Sequence, residues 1–224
     1  MSYFVGIDPS SREEVATHCA CLREDGCVDH VVALYEDAAI VRWLRDLGEV
    51  LLVGVDGPLR LPGGESPERF FSPHSEGDRP RRSSEVELAR RGIGCFFTVP
   101  RSFARTWVER SLRLGERLRQ AGFSVIEVYP YGTRKVLWGG QVGRKQRREA
   151  RLAELERLQR LGIRWEPCPI PSHHVMDAVL CALTAFLAWT RKTISLGNEE
   201  DGPIFLPDPA VDWPLFLPTL WRRR

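Results

Sequence analysis

Two apolar segments of this sequence end in an aspartate. They read VGIDP at 5–9 and VGVDGP at 53–58, and each has a glycine two residues before the aspartate. Short apolar runs of this kind predict buried strands, and glycine allows another backbone to approach closely. Because ligands of α/β sheets bind near the carboxyl ends of strands, we expect Asp8 and Asp56 to lie in a functional site.

A third carboxylate lies inside an apolar segment. Glu127 stands in the middle of SVIEVYP at 124–130, among β-branched and aromatic residues. An unpaired carboxylate there would cost on the order of several kcal/mol or would take up a proton. No neighbour at strand spacing supplies a positive charge, so either a metal ion or a distant arginine must compensate it. We favour the metal ion.

A fourth carboxylate lies in the first turns of an apolar helix, which begins HHVMDAVLCA at 173–182 after a capping Ser172. Asp177 is more than one turn inside this helix, so the favourable helix dipole explains its position only partly. His174, three residues earlier, lies on the same helix face. Small residues at 178, 181, 182 and 185 would let the helix approach a sheet closely.

Four carboxylates on strands and on a packed helix suit hard divalent cations, which prefer oxygen ligands. Two Mg²⁺ or Mn²⁺ ions about 4 Å apart can activate a water and stabilise the leaving oxygen in phosphodiester hydrolysis. We therefore expect all four side chains to converge on one side of the sheet. The predicted metal-binding and catalytic residues are Asp8, Asp56, Glu127 and Asp177. His174 is predicted to contact these ligands without binding the metal itself.

The elements that must position these residues form an α/β pattern. Strand patterns occupy 3–7, 15–23, 27–34, 50–55 and 123–129, and helical patterns occupy 36–47, 102–121, 145–161 and 173–191. Residues 60–84, rich in Pro, Gly, Ser and Arg, predict a flexible loop, and the tail from 197 is irregular apart from a possible strand at 204–206. The length of 224 residues with 43% hydrophobic content suits one domain over 1–224.

The net charge of +2 conceals two basic blocks. Residues 79–119 carry 11 basic and 4 acidic side chains, and residues 134–164 carry 10 and 3. Such blocks are candidate polyanion surfaces, although solvated helix faces explain them equally well. The predicted phosphate-binding residues are Arg79, Arg81, Arg82, Arg144, Lys145, Arg147 and Arg148.

Several classes of protein are excluded or disfavoured. No stretch of about 18 apolar residues exists, which rules out a transmembrane helix. The N-terminus lacks the features of a signal peptide, so we expect a cytoplasmic protein. Six cysteines are too few for a secreted disulfide scaffold. Cys19 and Cys21, with histidines nearby, could bind zinc, but their spacing favours burial on one face of a strand.

The sequence resembles a known fold family. The order of the elements looks like the ribonuclease H-like fold, in its RuvC-resolvase branch. Hairpin-type strands come first, with Asp8 on the first strand and Asp56 at the end of the fourth, and a later helix carries His174 and Asp177. GVDGPL at 54–59, VIEVYP at 125–130, HVMDAV at 174–179 and GNEEDGPI at 197–204 resemble the uncharacterised family numbered 429 among domains of unknown function. The resemblance implies an α/β mixed sheet flanked by helices, a predicted metal-dependent nuclease, nucleic-acid partners and, by analogy with resolvases, a homodimer.

Two other functions stay open at this point. A non-catalytic module of the same fold would bind polyanions without any metal. An ATP-dependent phosphotransferase would share the sheet, but DPSSR at 8–12 is a poor phosphate cradle because proline removes a backbone donor.

Overall fold

A computed structural model gives the structure of residues 1–72, 81–139 and 143–221. Its central feature is a seven-stranded sheet with strands in the order β3-β2-β1-β4-β5-β7-β6. The strands are β1 Ser2–Asp8, β2 Thr17–Arg23, β3 Val28–Leu34, β4 Glu49–Asp56, β5 Val125–Val128, β6 Thr193–Leu196 and β7 Ile204–Pro207.

Eight α-helices flank this sheet in the described ranges. They are α1 Asp37–Asp46, α2 Pro67–Phe70, α3 Ser83–Arg90, α4 Arg105–Gln120, α5 Pro130–Trp138, α6 Arg148–Arg160, α7 His173–Trp189 and α8 Trp213–Trp221. A short 3-10 helix covers Pro62–Gly64. None of the helices within these ranges is long and apolar enough to cross a membrane.

The sheet is mixed, as the sequence predicts. β1, β2 and β3 form an antiparallel meander, whereas β4 and β5 run parallel to β1. β7 continues the parallel part of the sheet and β6 closes it as an antiparallel edge. The first strand ends at Asp8, the fourth at Asp56, and α7 carries Asp177, so the predicted ribonuclease H-like arrangement is confirmed.

The two faces of the sheet bury different helices. Helix α7 packs across β1, β2 and β4, with an apolar cluster that includes Phe4, Leu180 and Phe186. The opposite face is covered by α1 and α4 through a second cluster around Ile40 and Leu114.

Two glycines bring α7 very close to the sheet. A Cβ at Gly6 would overlap the backbone of α7 at Ala178 and Ala182, and one at Gly54 would meet the carbonyl oxygen of Cys181 at 2.5 Å. The glycine before each strand-end aspartate therefore has the predicted role, because only a residue without a Cβ fits there. This close packing brings the first turns of α7 to the carboxyl ends of β1 and β4.

Two regions differ from the sequence-based expectation. Residues 60–84 were predicted as a flexible loop, but they contain the 3-10 turn, α2 and the start of α3; residues 73–80 lie outside the described part of the chain. The tail from 197 was predicted to be irregular apart from a possible strand at 204–206. β7 lies at that position, whereas the apolar helix α8 was not expected. Helix α8 packs back on the main core through Trp213 and Leu217, which explains why so short an apolar segment is helical.

Candidate metal centre

Three aspartates converge where β1, β4 and α7 meet. One carboxylate oxygen from each of Asp8, Asp56 and Asp177 can be chosen so that all three lie within 4.8 Å of one another. Asp8 and Asp177 are buried, and Asp56 is partly exposed. Because β1 and β4 pair in parallel with Gly6 opposite Gly54, their two aspartates project from the same face, toward α7.

Burial and mutual repulsion disfavour the charged forms of two of these groups. Burial, and then the charges of Asp8 and Asp177, raise the pKa of Asp56 well above its usual range. Burial also raises the pKa of Asp8, although its hydrogen bond with His174 offsets part of this effect. A cation bound among the three carboxylates would relieve both effects.

His174 supports Asp8 from the first turn of α7. Its Nδ1 lies 2.6 Å from Oδ2 of Asp8, and this contact raises the pKa of His174. The ring of His18, on β2, stacks on that of His174 with a centroid separation of 5.5 Å and an interplanar angle of 7°. His174 thus contacts a carboxylate of the cluster, which is the position that the helical spacing predicted.

Asp177 is held by two cations. Nη1 of Arg134 and Nζ of Lys145 each lie 2.5 Å from one of its oxygens. Arg134, on α5, is itself buried and also pairs with Glu154 of α6 at 2.8 Å. Neither partner of Asp177 was expected from the sequence. Arg134 is the last residue of the PYGTR segment at 130–134, whose proline at the first helical position was the signal that a helix begins there.

Glu127 does not join the cluster, and its assignment as a metal ligand is wrong in this structure. In the register of β4 and β5, Glu127 pairs with Val55, whereas Asp56 pairs with Val128. Since side chains alternate along a strand, Glu127 projects from the face opposite that of Asp56. Its carboxylate accepts two hydrogen bonds from Arg82, at 2.8 and 2.6 Å, and one from the backbone of Leu59 at 2.9 Å.

Arg82 is the distant arginine that the sequence left as the alternative. It is fully buried, and besides Glu127 it binds Glu85 and the carbonyl oxygens of Asp201 and Gly202. With its donors directed to these partners inside the protein, Arg82 cannot contact a phosphate at the surface. Its prediction as a phosphate-binding residue is therefore also corrected.

The other predicted phosphate-binding residues divide by location. Lys145 is half-buried at the carboxylate cluster rather than on an open surface. Arg79 lies outside the described residues. The remaining four are exposed and available to a polyanion: Arg81, Arg144, Arg147 and Arg148.

The cysteine segment is structural. Cys19 and Cys21 are fully buried on the same face of β2, in the cluster beneath α1 and α4. Burial raises the pKa of Cys21 to about 12, so both thiols stay protonated at neutral pH. Within the described ranges, the group of possible metal ligands that the structure brings together is the three-aspartate cluster, with no cysteine in it.

The donor set fits a hard cation. It consists of carboxylate oxygens alone. Among the described residues, no hydrogen-bond donor or ion-pair partner contacts the side chain of Asp56. The side chain of Asp8 is held by His174 and that of Asp177 by Arg134. Oxygen-only ligand sets of this kind bind Mg²⁺ or Mn²⁺ in preference to softer metals.

Comparison with known proteins places these features in a family. No curated protein matches the chain. Solved structures with a similar fold include Thermus thermophilus RuvC, with 17% sequence identity, a TM-score of 0.44, and coverage of 89% of this chain and 98% of that chain. They also include T. thermophilus RuvC in complex with Holliday junction substrate, with 16% sequence identity, a TM-score of 0.44, and coverage of 91% of this chain and 99% of that chain. The family described as "Protein of unknown function (DUF429)" matches residues 6–201, which include the whole carboxylate cluster. The chain therefore belongs to the DUF429 family.

Proposed function

We propose that this protein is a divalent-metal-dependent phosphodiesterase that acts on nucleic acid. The observation that carries the proposal is the convergence of three aspartates, from β1, β4 and α7, to within 4.8 Å. Carboxylates repel one another at such distances, so a fold that brings them together is destabilised unless positive charge balances them. Of the three, Arg134 and Lys145 form ion pairs with Asp177 alone.

Asp56 is the group that most needs a cation. It lies close to two other carboxylates, and no cation of the described residues forms an ion pair with it, although the charges of Lys145 and Arg134 oppose the rise of its pKa. A merely structural cluster would be expected to pair each carboxylate, as this protein does for Glu127 and for Asp177. The unpaired Asp56 therefore favours a bound metal ion over a structural ion-pair network.

The residues around the cluster have distinct roles in this proposal. Asp8, Asp56 and Asp177 hold Mg²⁺ or Mn²⁺, which when bound supplies Lewis acidity and lowers the pKa of a bound water. His174 fixes the carboxylate of Asp8 through the 2.6 Å contact. Arg134 fixes Asp177 from the buried side of the site, and pairs with Glu154 to keep its own orientation.

The surroundings of the cluster favour a polyanionic substrate. Lys145 links the carboxylates to the segment that enters α6, where three arginines are exposed: Arg144, Arg147 and Arg148. Arginine binds phosphate oxygens in a bidentate manner, and several such residues beside a metal centre would hold the backbone of a nucleic acid. Replacement of these three by Ala should weaken binding and flatten its salt dependence by about one slope unit per lost phosphate contact.

A cleavage assay tests the proposal. Labelled single-stranded DNA, single-stranded RNA, duplex DNA and a four-way junction are each incubated with Mg²⁺, Mn²⁺ or EDTA. We expect metal-dependent cleavage of at least one substrate, which falls by about 10²-fold or more in Asp8→Asn. Asp46→Asn, the same change at an exposed position of α1, serves as the matched control.

The other outcomes identify the other functions. Salt-sensitive binding that persists in EDTA, without cleavage at any Mn²⁺ concentration, would identify a binding module. Stabilisation by ATP together with ATP hydrolysis would identify a phosphotransferase. Either result would refute the nuclease proposal.

A further inference from the structure

We propose that the cleft between the segment 95–98 and the start of α4 binds an unpaired nucleobase beside the metal centre, so that the substrate is cut in a single-stranded region. This inference rests on the proposed function, because it names the form of nucleic acid that the same site accepts. It comes from residues that the metal centre itself does not use.

The cleft shares one residue with the carboxylate cluster, because Asp56 is among the residues that line it. Its walls are formed largely by apolar and aromatic side chains, among them Leu88, Phe97, Trp107 and Tyr129. Aromatic side chains of this kind stack on nucleobases, and such stacking is tolerant of sequence because every base has a π-face. A base seated in this cleft would have its own backbone next to Asp56.

Two phenylalanines lie exposed, one on each of the two segments that border the cleft. Phe96 is 72% exposed and Phe103 is 82% exposed, and their rings meet edge to face with centroids 5.2 Å apart. Phe96 lines the cleft, and Phe103 lies between two other lining residues, Ser102 and Ala104. Two large aromatic side chains left together in water, at the side of a cleft, indicate a contact surface for an apolar or aromatic partner.

The charges around these rings favour a nucleotide over an uncharged ligand. The guanidinium of Arg81 lies 4.4 Å from the centroid of the Phe97 ring, and Arg81 is itself exposed. Arg101, before Phe103, is exposed as well, whereas the exposed Arg105 after it pairs with Glu109 at 2.8 Å. Aromatic side chains interleaved with arginines bind single-stranded nucleic acid, with the rings stacking on bases and the arginines contacting phosphates.

A paired base cannot use this cleft. In a duplex each base is covered on both faces by its neighbours, and extrusion of one costs on the order of a few kcal/mol. A single strand, a loop or a strand end presents bases that are already unstacked. The cleft therefore favours substrates with unpaired nucleotides near the scissile phosphate.

The test measures binding without cleavage. Fluorescence anisotropy in EDTA compares a labelled single strand of 16 nucleotides, the same strand with abasic sites at its centre, and the duplex of the same sequence. Wild type should bind the intact strand most tightly. The double variant Phe96→Ala/Phe103→Ala should lose at least about tenfold in affinity for the intact strand, or about 1.4 kcal/mol, with little change for the abasic strand.

Tyr35→Ala removes another exposed aromatic side chain, which is 54% exposed and does not line the cleft, and it should leave all three affinities unchanged. Both phenylalanines are exposed, so their removal should leave the thermal unfolding temperature nearly unaltered. Equal binding of intact and abasic strands by wild type, or unchanged binding by the double variant, would overturn the inference.

Its failure can be told apart from that of the proposed function. Metal-dependent cleavage without any base dependence would refute the cleft inference and leave the nuclease intact. Base-dependent binding without cleavage in Mn²⁺ would refute the nuclease and leave the cleft as a site for single strands.

Discussion

Substitution Asp56→Asn should stabilise the metal-free protein. At a separation of 4.8 Å and an effective dielectric constant of about 20, two carboxylates repel each other by about 3.5 kcal/mol. Asp56 faces two such charges, and the cations beside Asp177 offset part of the repulsion. We therefore expect Asp56→Asn to raise the free energy of unfolding in EDTA at pH 8 by about 1–3 kcal/mol.

Asp177→Asn should act in the opposite direction under the same conditions. It retains the shape of the side chain but removes the charge that pairs with the buried Arg134 and with Lys145. Hydrogen bonds to charged groups are worth about 1.5–3 kcal/mol, so we expect a loss of about that size in EDTA. The two substitutions make the same chemical change within one cluster, and each serves as the other's control.

Chemical unfolding in EDTA and in millimolar Mn²⁺ measures both effects. Mn²⁺ should stabilise wild type by an amount that grows with its concentration, because the ion binds the folded state. Both variants should gain much less from it. The reasoning is refuted if Asp56→Asn is destabilising in EDTA, or if Mn²⁺ stabilises Asp56→Asn as strongly as it stabilises wild type.

Three further predictions follow from the same contacts. Glu127→Gln should lower the free energy of unfolding by about 1–3 kcal/mol because it breaks the buried ion pair with Arg82. In thermal unfolding, Mn²⁺ should stabilise this variant as much as it stabilises wild type. Loss of that Mn²⁺ effect would show that Glu127 is a metal ligand after all. Burial alone would raise the pKa of Asp201, but backbone N–H donors at 63 and 83 lower it, so Asp201→Asn should be less stable than wild type at pH 7. This difference should shrink as the pH falls through and below about 4, where the wild-type carboxylate takes up its proton; a gap that is constant with pH would contradict it. Cys168 is exposed, so a thiol reagent at pH 8 should modify it rapidly, and Cys168→Ser should abolish that fast phase while the buried cysteines stay unreactive.

The main part of the site could be predicted from local sequence. Glycine followed two residues later by aspartate at the end of an apolar strand specified both the close approach of α7 and the carboxylates of Asp8 and Asp56. Asp177 and His174 followed from the three-residue spacing on one face of an apolar helix. These patterns involve residues close together in sequence, and the periodicity of a strand or a helix determines which of their side chains lie on the same face of that element.

The position of Glu127 could not be predicted in the same way. Its face depends on the register between β4 and β5, strands that lie about 70 residues apart in sequence, and a shift of one residue would have placed it with Asp56. Its partner Arg82 and the partner Lys145 of Asp177 come from distant segments as well. Nothing in the local sequence separates an arginine that will be buried with a carboxylate from one that stays in solvent.

Direct titration of Mn²⁺ into the protein tests the metal centre most plainly. Isothermal calorimetry on wild type, Asp56→Asn and Glu127→Gln compares one residue inside the cluster with one on the other face of the sheet. The account predicts that wild type and Glu127→Gln bind Mn²⁺ with the same affinity and that Asp56→Asn binds it far more weakly. Absence of binding to wild type, or equal binding to Asp56→Asn, would contradict it.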